Sequence, residues 1–265
     1  MYSSFQLFKK YCNYFITAKS GKGYGIHSPF VFDFVTKILD DKTKYSCYNK
    51  IEALRQKLLA DDTILHVEDF GAGSATTPFK QRKVKDIAKS SLKNKKFGQL
   101  LYRIAQYYQP SAVVELGTSL GVTTCYLAST SDKNHVYSLE GSKEIAAVAR
   151  RNFEVLELGN ITEIVGNFDE TLLPLLSNIE YVDMAFIDGN HRKEPTLNYF
   201  DILLKKSTDN SIFIFDDIHW STGMEEAWKA ILASSSVTLS IDLFFIGLVF
   251  FNKDFKVKQN FTIRF

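Results

Sequence analysis

The spacing of hydrophobic positions along the chain changes character near residue 111. Before that point, apolar residues recur at helical spacing in short pieces. They give an aromatic amphipathic start over 1–15, helices over 29–39 and 49–59, a basic amphipathic stretch over 80–96, and a helix over 98–108. Beyond it, apolar runs of strand length alternate with helical stretches, the pattern of a parallel sheet with crossover helices. The runs AVVELG, HVYSLE, ITEIVG, YVDMAFIDG and SIFIFDD predict five such strands. Two more, VTLSIDLF and GLVFFN, have only Phe245 and Ile246 between them. They predict an antiparallel hairpin, because a parallel crossover needs about a dozen residues.

The expected fold is therefore α/β: a Rossmann-like, doubly wound, mostly parallel seven-stranded sheet with an antiparallel last strand, plus a mainly helical N-terminal extension. In domain terms this gives an accessory, substrate-side region over 1–97, a core over 98–252 and a tail over 253–265.

Composition supports a sizeable core, since 45% of the residues are hydrophobic and 23% charged, which excludes a disordered chain. Net charge is only +2, but residues 1–110 carry 19 Lys+Arg against 9 Asp+Glu while residues 111–265 carry 13 against 21. A basic, aromatic front half suits an anionic ligand such as a nucleotide-sugar, a phosphorylated lipid or RNA, or else a solvated lysine surface. Cys12, Cys47 and Cys125 are widely spaced and form no CxxC pair, which fits a reducing, cytoplasmic setting. The start of the chain is too polar for a signal peptide, and the apolar run 243–251 is too short to span a bilayer.

The chemistry begins at ELGTSLGVTT, residues 115–124, placed between an apolar strand and a helix. Gly117 and Gly121 permit a tight turn and close backbone approach, and the helix start offers amides to an anionic group. The Gly-x-x-x-Gly spacing lacks the Gly-x-Gly-x-x-Gly on which a pyrophosphate sits, which counts against NAD or FAD. Glu140 ends the next strand, where a carboxylate can accept both ribose hydroxyls of an adenosyl group, and Gly141 leaves room for the adenine. A second Gly-rich string, DFGAGSATT at 69–77, follows a short, charge-broken run and is itself followed by Pro78. It reads as a turn or substrate-side loop.

On these residues, the segment 98–252 resembles the S-adenosylmethionine-dependent methyltransferases, particularly the metal-dependent O-methyltransferase branch that includes catechol and sugar O-methyltransferases. The resemblance implies that Glu115, Gly117, Ser119, Gly121 and Thr123 surround the methionine part of the cofactor. By the same likeness Glu140 holds the ribose, and Asn167 and Phe168 border the adenine.

FIDGNH puts Asp188 at the carboxyl end of one strand, and FDDIHW puts Asp216 and Asp217 at the end of the next. Like charges brought close oppose mutual ionisation, and a hard dication such as magnesium relieves them. The resembling family binds its ion with an aspartate after the fourth strand and an acidic pair after the fifth, which assigns Asp188, Asp216 and Asp217 to the metal. The other reading makes them helix N-caps.

Asp188 and His191 are the expected catalytic pair. His191 takes the proton of the acceptor hydroxyl, since a histidine of ordinary pKa about 6.5 is largely neutral at pH 7; its competing role is a helix cap. His219 and Trp220 are placed near the acceptor, and Trp228 in the core. The expected partner is a small-molecule or carbohydrate acceptor, and a homodimer is compatible with the reading. The alternatives are an RNA or protein methyltransferase, though the Pro-Pro-Tyr/Phe string of amino-group methylases is missing, and a non-catalytic cofactor-binding protein.

Overall fold

Apolar runs without polar alternation, such as AVVEL and IFIFD, are buried on both faces and suit parallel strands covered by helices. The computed structural model describes residues 1–67 and 80–265. The string at 69–77 lies outside the described residues. Two compact units are present, one of residues 42–179 and the other of residues 1–41 with 180–265.

The latter unit opens with α1 (Ser4–Thr17), whose start is closed by a capping box between Ser3 and Gln6. It continues with α2 (Pro29–Phe34), which runs into a π-helical turn over Val35–Leu39. The helix predicted over 29–39 is therefore two pieces.

Unit 42–179 begins with α3 (Ser46–Ala60), the antiparallel strands β1 (Ile64–Val67) and β2 (Lys80–Lys83), α4 (Val84–Ser91) and α5 (Lys95–Tyr108). Residues 80–83 differ from the predicted helix. Their backbone pairs with β1, and KQRK carries no hydrophobic periodicity that would signal either state.

Next come β3 (Ala112–Leu116), α6 (Val122–Ala128), β4 (His135–Glu140), α7 (Lys143–Val155), β5 (Ile161–Val165) and α8 (Phe168–Ser177). β4 pairs in parallel with β3 on one side and β5 on the other. Leu54, Leu65, Ile87, Tyr126 and Phe153 belong to one apolar cluster that binds α3, β1, α4, α6 and α7 together.

Back in the unit of residues 1–41 and 180–265, β6 (Met184–Ile187), α9 (Lys193–Leu204), β7 (Ile212–Asp216), α10 (Thr222–Ala233), β8 (Leu239–Asp242), β9 (Ile246–Phe250) and β10 (Gln259–Thr262) complete the chain. β6 and β7 are parallel, and β9 runs antiparallel to both β7 and β8. The predicted hairpin is present. β10 adds a strand parallel to β8 inside the stretch expected to be a tail, so the mostly parallel pattern holds eight strands where seven were expected. QNFT is too short and polar to announce itself, and its state is set by the open edge of β8.

Candidate functional site

The residues after β3 make a turn that few sequences can adopt. Gly117, Ser119 and Gly121 all have positive φ, at 106°, 48° and 79°. At Gly121 a Cβ would also lie 2.5 Å from the Phe153 ring and 3.1 Å from the Ala149 Cβ. Glycine is thus required twice, by backbone and by space. Gly121→Ala is expected to cost about 2–3 kcal/mol, from left-handed backbone strain plus overpacking. Urea titration checks it, and a loss below about 0.5 kcal/mol, the scale of an ordinary surface change, would contradict the packing argument.

The end of β4 holds this turn in place. The Gly117 and Thr118 amides donate to the Leu139 carbonyl at 3.0 and 3.1 Å. The Ser119 amide donates to Glu140 Oε2 at 2.8 Å, and the Ser142 amide to Glu140 Oε1 at 3.0 Å. Each carboxylate oxygen keeps a further lone pair for a hydroxyl donor. Burial pushes the Glu140 carboxyl up from its ordinary value, while the amides of Ser142, Ser119 and Gly141 hold it down.

Glu115 lies beneath the turn and is fully enclosed. Its Oε2 accepts hydroxyl hydrogen bonds from Thr124 at 2.5 Å and Ser138 at 2.6 Å. Burial outweighs these bonds and pushes its carboxyl up to about 7. The folded protein therefore binds this proton more tightly than the unfolded chain. The resulting stability is full below the ordinary pKa near 4.5 and is lost as pH rises through about 7. Glu115→Gln is expected to remove on the order of 3 kcal/mol of pH dependence across that window. Thermal melts of both proteins at either end of the window would show it; parallel pH profiles would refute it.

Among the described residues, the buried Glu115 Oε1, Ser119 Oγ and Ser142 Oγ have no hydrogen-bond partner. Buried polar atoms are usually paired, so orphans on two neighbouring strand ends point to a ligand. The sequence did not single out Ser142, or Thr124 and Ser138 around Glu115; hydroxyl residues inside apolar runs were the available signal. Of the other expected cofactor residues, Thr123 is buried in the first turn of α6, while Gly141 and Phe168 are half-buried. Asn167 caps α8 by accepting from the Asp169 amide at 3.1 Å.

In the other unit, Asp188 follows β6 and Asp216 ends β7. Ligand atoms of Asp188, His191 and Asp216 all lie within 4.8 Å of one another. His191 Nε2 is 3.6 Å from Asp188 Oδ1. Asp216 is buried, and the other two are half-buried. Asp217 lies outside this group; its backbone has φ 53° and its amide donates to the Phe245 carbonyl at 2.7 Å. The caps of α9 and α10 are Arg192 and Ser221, so none of these acids, nor His191, fills the capping role. Two carboxylates and an imidazole are a sound donor set for a divalent cation.

His219 sits between Asp242, 2.8 Å from Nε2, and Glu225, 3.2 Å from Nδ1. Burial pushes its pKa down, but the two carboxylates outweigh it and hold it above the ordinary value. Trp228 is buried in the core, against Gly247.

A family model described as a methyltransferase domain matches residues 114–218. That span includes both the turn with Glu140 and the Asp188, His191 and Asp216 group. A catechol O-methyltransferase from Niastella koreensis is 31% identical over 124 residues, 46% of this chain and 55% of that protein. The chain thus spans about half the length of that curated relative. Among solved structures, an O-methyltransferase from Bacillus cereus in complex with SAH aligns with a TM-score of 0.56 at 21% identity, covering 83% of this chain and 97% of the other. The O-methyltransferase TomG from Streptomyces achromogenes, in complex with SAM, aligns at 0.53 and 22% identity over 61% and 82%. At these identities the structural likeness shows the fold. Residues 114–218 thus resemble a methyltransferase domain, and the chain shares its fold with O-methyltransferases of known structure.

Proposed function

We propose that this protein is an S-adenosylmethionine-dependent O-methyltransferase that methylates a small-molecule or carbohydrate hydroxyl with the help of a divalent cation. The single observation that carries the cofactor half is the set of orphaned buried oxygens, Glu115 Oε1, Ser119 Oγ and Ser142 Oγ, on the strand ends that also hold Glu140. In this reading Glu140 accepts the ribose hydroxyls and Ser119 donates to the cofactor. Gly117, Gly121, Thr123 and Gly141 shape the cradle, Asn167 and Phe168 flank the adenine, and Glu115 offers its unpartnered Oε1 to the methionine end from beneath the turn.

Asp188 and Asp216 hold the cation, with magnesium first because paired carboxylates suit a hard ion. Asp217 borders the pair through its backbone. When bound, the ion supplies charge stabilisation to a deprotonating hydroxyl. His191 would take the proton of the acceptor hydroxyl, and S-adenosylmethionine, when bound, would supply the methyl group and depart as SAH. Asp188 stabilises the imidazolium so formed. The kinship with a catechol O-methyltransferase supports a small hydroxyl acceptor. A reducing, cytoplasmic setting completes the reading, supported by the free thiols of Cys12, Cys47 and Cys125. RNA is the other acceptor with an observation behind it, the 19 against 9 charge balance of residues 1–110.

Calorimetry with S-adenosylmethionine, followed by turnover of catechol and simple glycosides with and without EDTA, tests this. Cofactor binding without metal and turnover only with magnesium is the expected result. Absent cofactor binding overturns the reading, turnover indifferent to EDTA removes the cation from it, and salt-sensitive methylation of RNA reassigns the acceptor.

A further inference from the structure

Helix α1 carries two apolar faces. One is used inside its own unit: Tyr14 and Ala18 are buried with Phe244, and Leu7 and Tyr11 pack against them. Polar contacts fix the same attachment, with Tyr2 Oη donating to Glu225 at 2.8 Å and Lys10 Nζ donating to it at 2.8 Å. The other face remains in solvent. Phe5, Phe8, Phe15 and Ile16 are 76%, 64%, 51% and 76% exposed, and at helical spacing they fall on one arc about 100° wide. Phe245 continues the patch, with its ring 5.8 Å from Tyr11.

Cations border this arc. Lys9 is exposed on the helix beside Ile16, the Arg264 guanidinium lies 5.2 Å from the centroid of Phe15, and exposed Lys19 stacks on Phe261 at 4.9 Å. Residues 1–32 contain four lysines and no Asp or Glu. We infer that α1 docks this protein on an anionic lipid surface, with Phe5, Phe8, Phe15 and Ile16 entering the interface and Lys9, Lys19 and Arg264 meeting the headgroups.

A membrane-surface helix has this pattern of bulky apolar residues on one arc and cations at its edges. Among the described residues no helix is long and apolar enough to cross a membrane, and docking of this kind needs none. A second copy is a poorer occupant. Phe5, Phe8, Phe15 and Ile16, at these exposures, present on the order of 500 Å², below the roughly 800 Å² per partner of a stable interface. Nucleic acid is disfavoured because aliphatic Ile16 offers no stacking plane and few cations serve a wide apolar patch.

Flotation of the full chain with phosphatidylcholine vesicles containing about one-third phosphatidylglycerol tests the inference. Wild-type protein is expected to float with these vesicles and to remain behind with pure phosphatidylcholine. Phe5→Ser and Phe8→Ser should each lower partitioning about tenfold, and Lys9→Glu should weaken it in a salt-dependent way. The changed side chains are exposed, so unaltered thermal melts are expected for all three variants. No flotation of the wild type, a dimer in sedimentation velocity that Phe8→Ser disperses, or RNA retention lost in the same variants would each overturn it.

Discussion

Glu140→Ala is expected to weaken S-adenosylmethionine binding by about a thousandfold. Two losses combine in that figure. In the proposed cradle the ribose hydroxyls lose a charged acceptor, and hydrogen bonds to charged groups contribute about 1.5–3 kcal/mol each. The Ser119 amide also loses its 2.8 Å partner, so the turn with positive φ at Gly117, Ser119 and Gly121 is no longer tied to β4. Glu140→Gln should fall between, because one oxygen still accepts while the amide end now faces a backbone N–H that needs an acceptor. Isothermal titration of the three proteins gives the comparison. Binding within about threefold of wild type in Glu140→Ala, some 0.7 kcal/mol, would remove Glu140 from the cradle.

Asp216→Ala is expected to cut turnover by about three orders of magnitude while leaving cofactor affinity unchanged. The carboxylate is buried at the end of β7 beside Asp188 and His191. Removing one charge from a crowded acidic group relieves repulsion and desolvation, so the variant should fold at least as stably as wild type. A protein that melts no lower yet has lost activity separates a metal-holding role from a structural one. The figure reflects loss of several kcal/mol of charge stabilisation at the reacting oxygen. Steady-state kinetics across magnesium concentrations, with thermal melts alongside, decides it. Turnover within tenfold of wild type at saturating magnesium, or cofactor affinity falling in step with activity, would contradict this division of roles.

Much of the α/β core was legible from the chain alone, because continuous apolar runs such as AVVEL, MAFI and IFIFD leave a strand buried on both faces as their only outlet. Gly121 was equally legible, since a residue forced to φ 79° against Phe153 announces itself as glycine. The acidic residues at strand ends were visible as types, but their grouping was not. Only tertiary structure drew His191 into one cluster with Asp188 and Asp216 and put Asp217 outside it, because side-chain direction at a strand end depends on the local backbone, here φ 53° at Asp217. The strands β2 and β10 and the split of the helix over 29–39 were likewise decided by pairing and packing partners distant in sequence. The exposed aromatic arc of α1 belongs to the same class: periodicity marked an amphipathic helix, and the attachment of Tyr14 to Phe244 and of Lys10 to Glu225 determined which face was left in water.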